Sequence, residues 1–182
     1  MTTDLVLTLL GPDRPGVVEA VADAIAAHGG NWLESRMAHL AGKFAGILRV
    51  EVPADRATAL GNALAALEGR GLRIVIDSGG GADSDSGLPA GEARLMELEL
   101  VGLDRPGLVR EVSRLLAQQK INVEELATDR SSAPMSGEMM FRAHARIQVP
   151  AGIDSAAVRT SLERLAGDLM VEIHLADHRR GR

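Results

Sequence analysis

The stretch Leu10–Asn31, LGPDRPGVVEAVADAIAAHGGN, recurs further along the chain as Val101–Asn122, VGLDRPGLVREVSRLLAQQKIN. Nine positions are identical within these 22-residue windows, and the alignment needs no gap. The offset is 91 residues from Asp13 to Asp104 and again from Asn31 to Asn122. A constant period of this length indicates an internal duplication, so we expect two copies of one small domain.

The pattern around each repeat predicts a strand followed by a helix. Leu5, Leu7 and Leu9 alternate with other residues before the first repeat, as in a half-buried strand. After the Pro-Gly pair, apolar residues follow the i, i+3, i+4, i+7 spacing of a helix with one buried face: Val18, Val21, Ala22 and Ile25. In the second copy the same face is predicted to carry Val109, Val112 and Leu116.

The rest of each copy predicts a hairpin, a second helix and a last strand. In the first copy the hairpin strands are Trp32–Leu40 and Phe44–Val52, the helix opens at Pro53-Ala54-Asp55, and the last strand carries Leu72, Ile74 and Ile76. The order β-α-β-β-α-β is the ferredoxin-like arrangement. We therefore predict an α+β protein with two ferredoxin-like domains side by side.

Composition divides the chain into two domains, a linker and a tail. Residues 78–92 are rich in Gly, Ser and Asp, which is typical of a flexible linker with an end-to-end distance of about 20 Å. The predicted domains are therefore 1–77 and 93–177. A basic tail, 178–182, follows them, and we favour a solvated end over an anion-contacting segment.

Several functions are disfavoured by composition. The net charge is −5, and the chain has one Trp, two Phe and no Tyr, so neither a basic surface nor aromatic stacking favours direct nucleic-acid binding. There are no cysteines, and the five histidines lack metal-ligand spacing. No nucleophile motif is found. We predict no catalytic residue, no metal and no cofactor.

The sequence shows neither a signal peptide nor an apolar run of membrane-spanning length. We therefore expect a cytoplasmic protein without membrane contact.

The repeated Asp-Arg-Pro-Gly has two interpretations. The simpler one is a tight turn that starts a helix, with Pro at the first helical position, Gly in the first turn and Asp near the electropositive helix start. The sharper one is that free N–H groups at the helix start bind a carboxylate. The downstream Asn can donate and accept hydrogen bonds, which suits the ammonium and carboxylate groups of an amino acid.

On these residues the chain resembles the ACT domain family of small amino-acid-sensing regulatory modules. The Asp-Arg-Pro-Gly loop and the Asn before the second strand are usual marks of that family. The tandem layout is similar to the glycine cleavage system transcriptional repressor group. The resemblance implies amino-acid binding at ACT–ACT interfaces by Asp13, Arg14, Pro15, Gly16 and Asn31, and by Asp104, Arg105, Pro106, Gly107 and Asn122.

The two copies also differ from each other. Pro12 stands in the first loop where Leu103 stands in the second, and the Ser35-Arg36 pair is replaced by Leu126-Ala127. Whether both copies bind a ligand stays open at this point.

Three functions are compatible with these observations. The first, which we favour, is a non-catalytic regulator that senses a small amino acid, glycine or serine, and controls a protein partner such as a transcription regulator or an enzyme. The second is a regulatory companion of an enzyme similar to formyltetrahydrofolate deformylase. The third is a ligand-free interaction module. A homodimer is expected, because small sheets leave edges to be covered.

Overall fold

The structure is a computed structural model, and it describes residues 1–78, 93–133 and 136–177. The chain divides into two compact units, Met1–Ser86 and Gly87–Arg182. Residues 79–92 of the expected linker and the expected basic tail, 178–182, lie outside the described residues, so the boundaries given above stay predictions.

The first unit is one antiparallel sheet with two helices. Its sheet has the strand order β2-β3-β1-β4, so that β2 and β4 form the edges. In chain order the elements are β1 (Thr2–Pro12), α1 (Val17–Ala27), β2 (Asn31–Leu40), β3 (Lys43–Pro53), a 3-10 turn (Ala54–Arg56), α2 (Ala57–Ala66), a second 3-10 turn (Leu67–Arg70) and β4 (Arg73–Ser78).

The second unit repeats this topology. Its sheet has the order β6-β7-β5-β8, with β6 and β8 at the edges. The elements are β5 (Arg94–Leu103), α3 (Leu108–Gln118), β6 (Asn122–Ser132), β7 (Met139–Val149), α4 (Ser155–Leu169) and β8 (Val171–Asp177). The predicted α+β class with two ferredoxin-like units is therefore confirmed.

The alternating strands place one apolar row of each sheet under the helices. Leu7, Leu9 and Leu98 are almost completely buried, as the period-2 pattern predicts. In each unit this row joins buried helix residues in one core, and no polar or charged side chain of the described residues is buried. The helix-facing side of each sheet therefore forms the apolar core, and the polar side chains of the described residues lie outside it.

The first helix of each unit buries Val21 and Ile25, or Val112 and Leu116, as predicted, but it differs from the prediction at its first apolar position. Val18 and Val109, expected on the buried face, are 45% and 40% exposed. Val17 packs against the core in the first unit, and Leu108 is buried in the second. Each helix begins directly after a left-handed glycine, and its first residue faces the core. The prediction that Val18 and Val109 are core residues is wrong.

The second helix of the first unit starts later than predicted. Pro53 keeps extended backbone angles at the end of β3, and a 3-10 turn separates it from the α-helix that begins at Ala57. Leu60 and Leu64 are buried as expected, whereas Leu67 lies in the second 3-10 turn and is only partly buried.

The other face of the first sheet carries mixed side chains. The Arg49 guanidinium donates a hydrogen bond to the Asp4 carboxylate, with an Nε–Oδ2 distance of 2.9 Å. This hydrogen bond and the negative charge of Asp4 raise the pKa of Arg49. The guanidinium is charged at any physiological pH, and its contact with Asp4 joins β3 to β1.

Candidate functional site

Both Asp-Arg-Pro-Gly loops end in a glycine with left-handed backbone. Gly16 has φ +87° and Gly107 has φ +96°, and each is the N-cap residue of its helix. The prolines therefore precede the cap, and the expectations that Pro takes the first helical position and that Gly lies in the first turn are both wrong. Only glycine adopts such φ values without cost, so the loop conformation explains the glycine.

The N–H groups of the first helical turn have no partner within the helix. The first helical hydrogen bonds are donated by Ala20 N–H to the Gly16 carbonyl and by Glu111 N–H to the Gly107 carbonyl, both at 3.0 Å. The N–H groups of residues 17–19 and 108–110 precede these bonds. No side chain caps either helix start. Three donors at each loop are therefore oriented for a negatively charged group.

The loop aspartates contact the neighbouring edge hairpin instead of the helix start. An Asp13 carboxylate oxygen lies 3.6 Å from His39 Nε2, and an Asp104 carboxylate oxygen lies 2.6 Å from an Arg130 guanidinium nitrogen. Backbone hydrogen bonds support both contacts, from Asp13 N–H to the Gly42 carbonyl and from Asp104 N–H to the Met139 carbonyl. Each loop is thus fixed to the hairpin that carries the edge strand, β2 or β6, and the idea that Asp stabilises the helix start is corrected.

The loop arginines differ between the units. Arg105 donates a 2.7 Å hydrogen bond to the carbonyl of Leu169, the last residue of α4. A cation at that position also interacts favourably with the negative end of the helix dipole. Arg14 has no side-chain hydrogen bond or ion pair within the described residues. It lines a small cavity instead, together with Arg70.

Two adjoining cavities lie beside the first loop. One, of about 30 Å³, is formed by the loop, the start of α1 and the chain that leads to β4: Pro12, Arg14, Pro15, Gly16, Val17, Ala20, Leu67, Arg70 and Leu72. The other is an open groove of about 490 Å³, lined by Leu10, Gly11, Pro12, Lys43, Glu68, Gly71 and Arg73. Pro12 lines both cavities.

The predicted asparagines lie at the far end of each sheet. Asn31 pairs with Glu51 of β3, whereas Pro12, next to the loop, pairs with Lys43. Eight residues of strand separate these two partners, which is about 26 Å. Asn122 pairs with Gln148, again at the opposite end of the hairpin from Asp104. Neither unit therefore brings its own Asp-Arg-Pro-Gly loop and its own Asn together.

Sequence reasoning missed four charged residues around the first loop. They are Lys43, Glu68, Arg70 and Arg73, which belong to β3, the second 3-10 turn and β4. The predicted strand order could have indicated these residues, because the start of β3 and the start of β4 lie beside the end of β1 in an antiparallel sheet. They were not predicted because they are far apart in the sequence.

Other chemistry receives no support from the described residues. They contain no group of three or more His, Asp or Glu side chains placed to hold a metal ion. No helix among them has the length and apolar composition needed to cross a membrane.

Comparison with known proteins assigns the fold to a family. The family model of the ACT domain matches residues 3–74. A solved structure of an unknown protein from Galdieria sulphuraria is similar over nearly the whole chain, with 30% identity and a TM-score of 0.85, covering 98% of this chain and 100% of that chain. The chain belongs to the ACT domain family.

A second solved structure has a similar fold over almost the whole chain. The crystal structure of a "putative glycine cleavage system transcriptional repressor" has 21% identity and a TM-score of 0.73, and 99% of each chain is covered. This similarity concerns the fold. No functionally curated protein matches the sequence of this chain.

Proposed function

We propose that this tandem ACT protein is a non-catalytic regulator that binds a small amino acid, glycine or serine, and thereby controls a protein partner. The candidate ligand-binding residues in this proposal are those of the two Asp-Arg-Pro-Gly loops with Asn31 and Asn122, and the proposal holds whether one copy binds the ligand or both. The observation that carries it is the repeated loop with unpaired N–H donors, fixed to the end of an edge strand.

The positions of loop and asparagine support a site formed by two ACT domains. Asn31 opens the edge strand β2, and the loop is fixed to the other end of that strand through Asp13 and His39. If two such edge strands pair in antiparallel orientation, the Asn of one domain lies beside the loop of the other. An edge strand offers unpaired backbone groups for such pairing. This is the geometric reason for proposing a homodimer and an interface site.

The chemistry of these groups suits an amino acid. Free backbone N–H groups at a helix start bind a carboxylate. An exposed Asn offers a carbonyl oxygen to the ammonium group and an amide N–H to the carboxylate. A small side chain such as that of glycine or serine leaves these contacts accessible.

The proposal of a protein partner rests on the charge of the chain and on its similarity to a solved structure. A net charge of −5 and the absence of a predicted basic recognition helix disfavour direct DNA binding. We therefore propose that any effect on transcription passes through a second protein in the cytoplasm. The similarity to a glycine cleavage repressor structure suggests glycine metabolism as the regulated process.

A ligand-free interaction module is the second candidate. One observation favours it: Leu10, Ile47 and Val75 are exposed although all three are large and apolar. Their strand positions place them on the sheet face opposite the core row. Such a face can pack against a partner without any ligand.

A thermal-shift screen against the twenty amino acids tests the proposal. A ligand at 100 times its dissociation constant adds about 2.7 kcal/mol to stability, so one small amino acid should raise the melting temperature by several degrees. Glycinamide, which lacks the carboxylate, should give no shift.

Substitution of Asn31 tests whether a ligand-induced rise in melting temperature depends on a proposed binding residue. Asn31→Ala should abolish or reduce it, whereas Asn62→Ala, an exposed Asn on α2, should leave it unchanged. A flat response to all amino acids would reject ligand sensing and favour the interaction module.

A further inference from the structure

The two ACT domains differ in charge where β1 and β5 run into their loops. In the first domain four cations surround this end of the sheet, and within the described residues none of them has an ion pair or side-chain hydrogen bond: Arg14, Lys43, Arg70 and Arg73. One carboxylate, Glu68, shares the groove. The excess of exposed, unpaired positive charge favours an anion at this place.

Strand register identifies the equivalent positions in the second domain. Lys43 pairs with Pro12 in the first domain, and Met140 pairs with Leu103 in the second. Arg73 pairs with Leu10, and Glu172 occupies the equivalent place opposite Val101. The second domain therefore has an apolar residue in place of one cation and a carboxylate in place of another.

Two further positions around the groove also lose a cation or a glycine in the second domain. Three residues before Arg73 stands Arg70, whereas three residues before Glu172 stands Leu169. The glycine that lines the groove, Gly71, corresponds to Met170, which carries a long side chain. Among residues 93–133 and 136–177 the equivalent positions thus carry neither this charge nor this glycine.

The second loop is occupied by contacts within its own domain. Arg105 donates to the Leu169 carbonyl at 2.7 Å, and Asp104, whose side chain is only 22% exposed, pairs with Arg130 at 2.6 Å. Its first-domain counterpart Asp13 is 43% exposed, and its contact with His39 is longer, at 3.6 Å. An arginine already bonded to a helix end is not available to a ligand carboxylate.

We propose that the groove of the first ACT domain binds the carboxylate of a small ligand and that the second domain has no such site. The inference rests on the proposed function only for the claim that this carboxylate belongs to an amino acid. It assigns the two copies different roles: the first loop recognises the ligand, and the second loop supports the fold. One ligand is then bound per chain, not two.

Acetate and inorganic phosphate are the probes for the groove itself, applied to the full chain and followed by backbone amide NMR signals. The expected result is that acetate moves the signals of residues 10–16, 43 and 68–73, and that phosphate has no stronger effect. Equal movement at residues 101–107, 140 and 167–172, or no movement in the first domain, would overturn the inference. A markedly stronger response to phosphate would reject the carboxylate as the ligand group.

An exchange of residues between the copies provides a matched pair of variants. Arg73→Glu introduces the second-domain residue and should weaken acetate binding about tenfold, which is the effect of losing one hydrogen bond to a charged group. Glu172→Arg, the reverse exchange, should leave it unchanged. Equal effects of the two exchanges would contradict the assignment.

The same variants separate this inference from the proposed function. If acetate binds to the first domain but no amino acid stabilises the protein, the carboxylate site in the groove is supported and amino-acid sensing is rejected. If an amino acid binds at two sites per chain, or binds as well to Arg73→Glu as to the wild type, amino-acid sensing is supported and the assignment of the groove is wrong.

Discussion

Replacing Gly16 by alanine tests whether the Asp-Arg-Pro-Gly loop has the conformation described above. A Cβ at Gly16 would meet no atom closer than 3.7 Å, the Glu19 side chain, so the substitution causes no steric clash. The cost comes from φ +87°, because an L-residue in the left-handed region loses about 1–2 kcal/mol. The lower entropy of the unfolded alanine chain offsets about 0.4–1 kcal/mol of this loss.

The expected net effect is a destabilisation of about 1 kcal/mol. For a domain of this size that corresponds to a fall in melting temperature of about 4–8 °C. Urea unfolding followed by circular dichroism measures the free energy, and a calorimetric scan measures the melting temperature. Gly16→Asn should recover part of the loss, because Asn tolerates left-handed backbone better than Ala.

Gly167→Ala is the matched control for this substitution. Gly167 lies inside α4, and a Cβ there would meet no atom within 4 Å. Alanine is the better helix former by about 0.8–1 kcal/mol, so this variant should be more stable than the wild type. If Gly16→Ala is as stable as the wild type, or if both variants shift in the same direction, the left-handed loop is refuted.

Three further substitutions have defined outcomes. Gly102→Ala should lower the free energy of unfolding in urea by about 1–3 kcal/mol, because the new Cβ would clash with the side chain of Val171 and lie 3.2 Å from its Cα. A change below about 0.5 kcal/mol would contradict this. Asp154→Ala should cost about 1 kcal/mol, since Asp154 caps α4 by accepting from Ala156 N–H at 2.9 Å; Asp154→Ser should keep most of that stability. Arg105→Ala should lower the melting temperature by a few degrees through loss of its bond to α4 without weakening ligand binding; weaker binding would assign the second loop a ligand role.

The fold was predictable because several independent signals agree. The duplication, the alternating strands and the helix spacing all indicate the same order of elements, and the structure has that order in both units. The side chain that begins the buried face of α1 was not predictable from periodicity. Val17 and Val18 are adjacent and both apolar, and the structure packs Val17 against the core while Val18 is exposed.

The candidate site was only partly predictable. The repeated loop identifies the helix start and its free donors, and spacing along one helix already places the Asn at the other end. Lys43, Arg70 and Arg73 were not predicted as site residues because they belong to elements far apart in sequence. The strand register places them at one end of the sheet. It also identifies the equivalent residues of the second copy, which differ in charge.

Calorimetric titration of the full chain with glycine and with L-serine measures amino-acid binding itself. We expect saturable binding of at least one of them in the sub-millimolar range, with one ligand per chain and with weaker binding in Asn31→Ala. An absence of binding for both, together with a flat response to the other amino acids, would contradict the assignment of this tandem ACT protein as an amino-acid sensor.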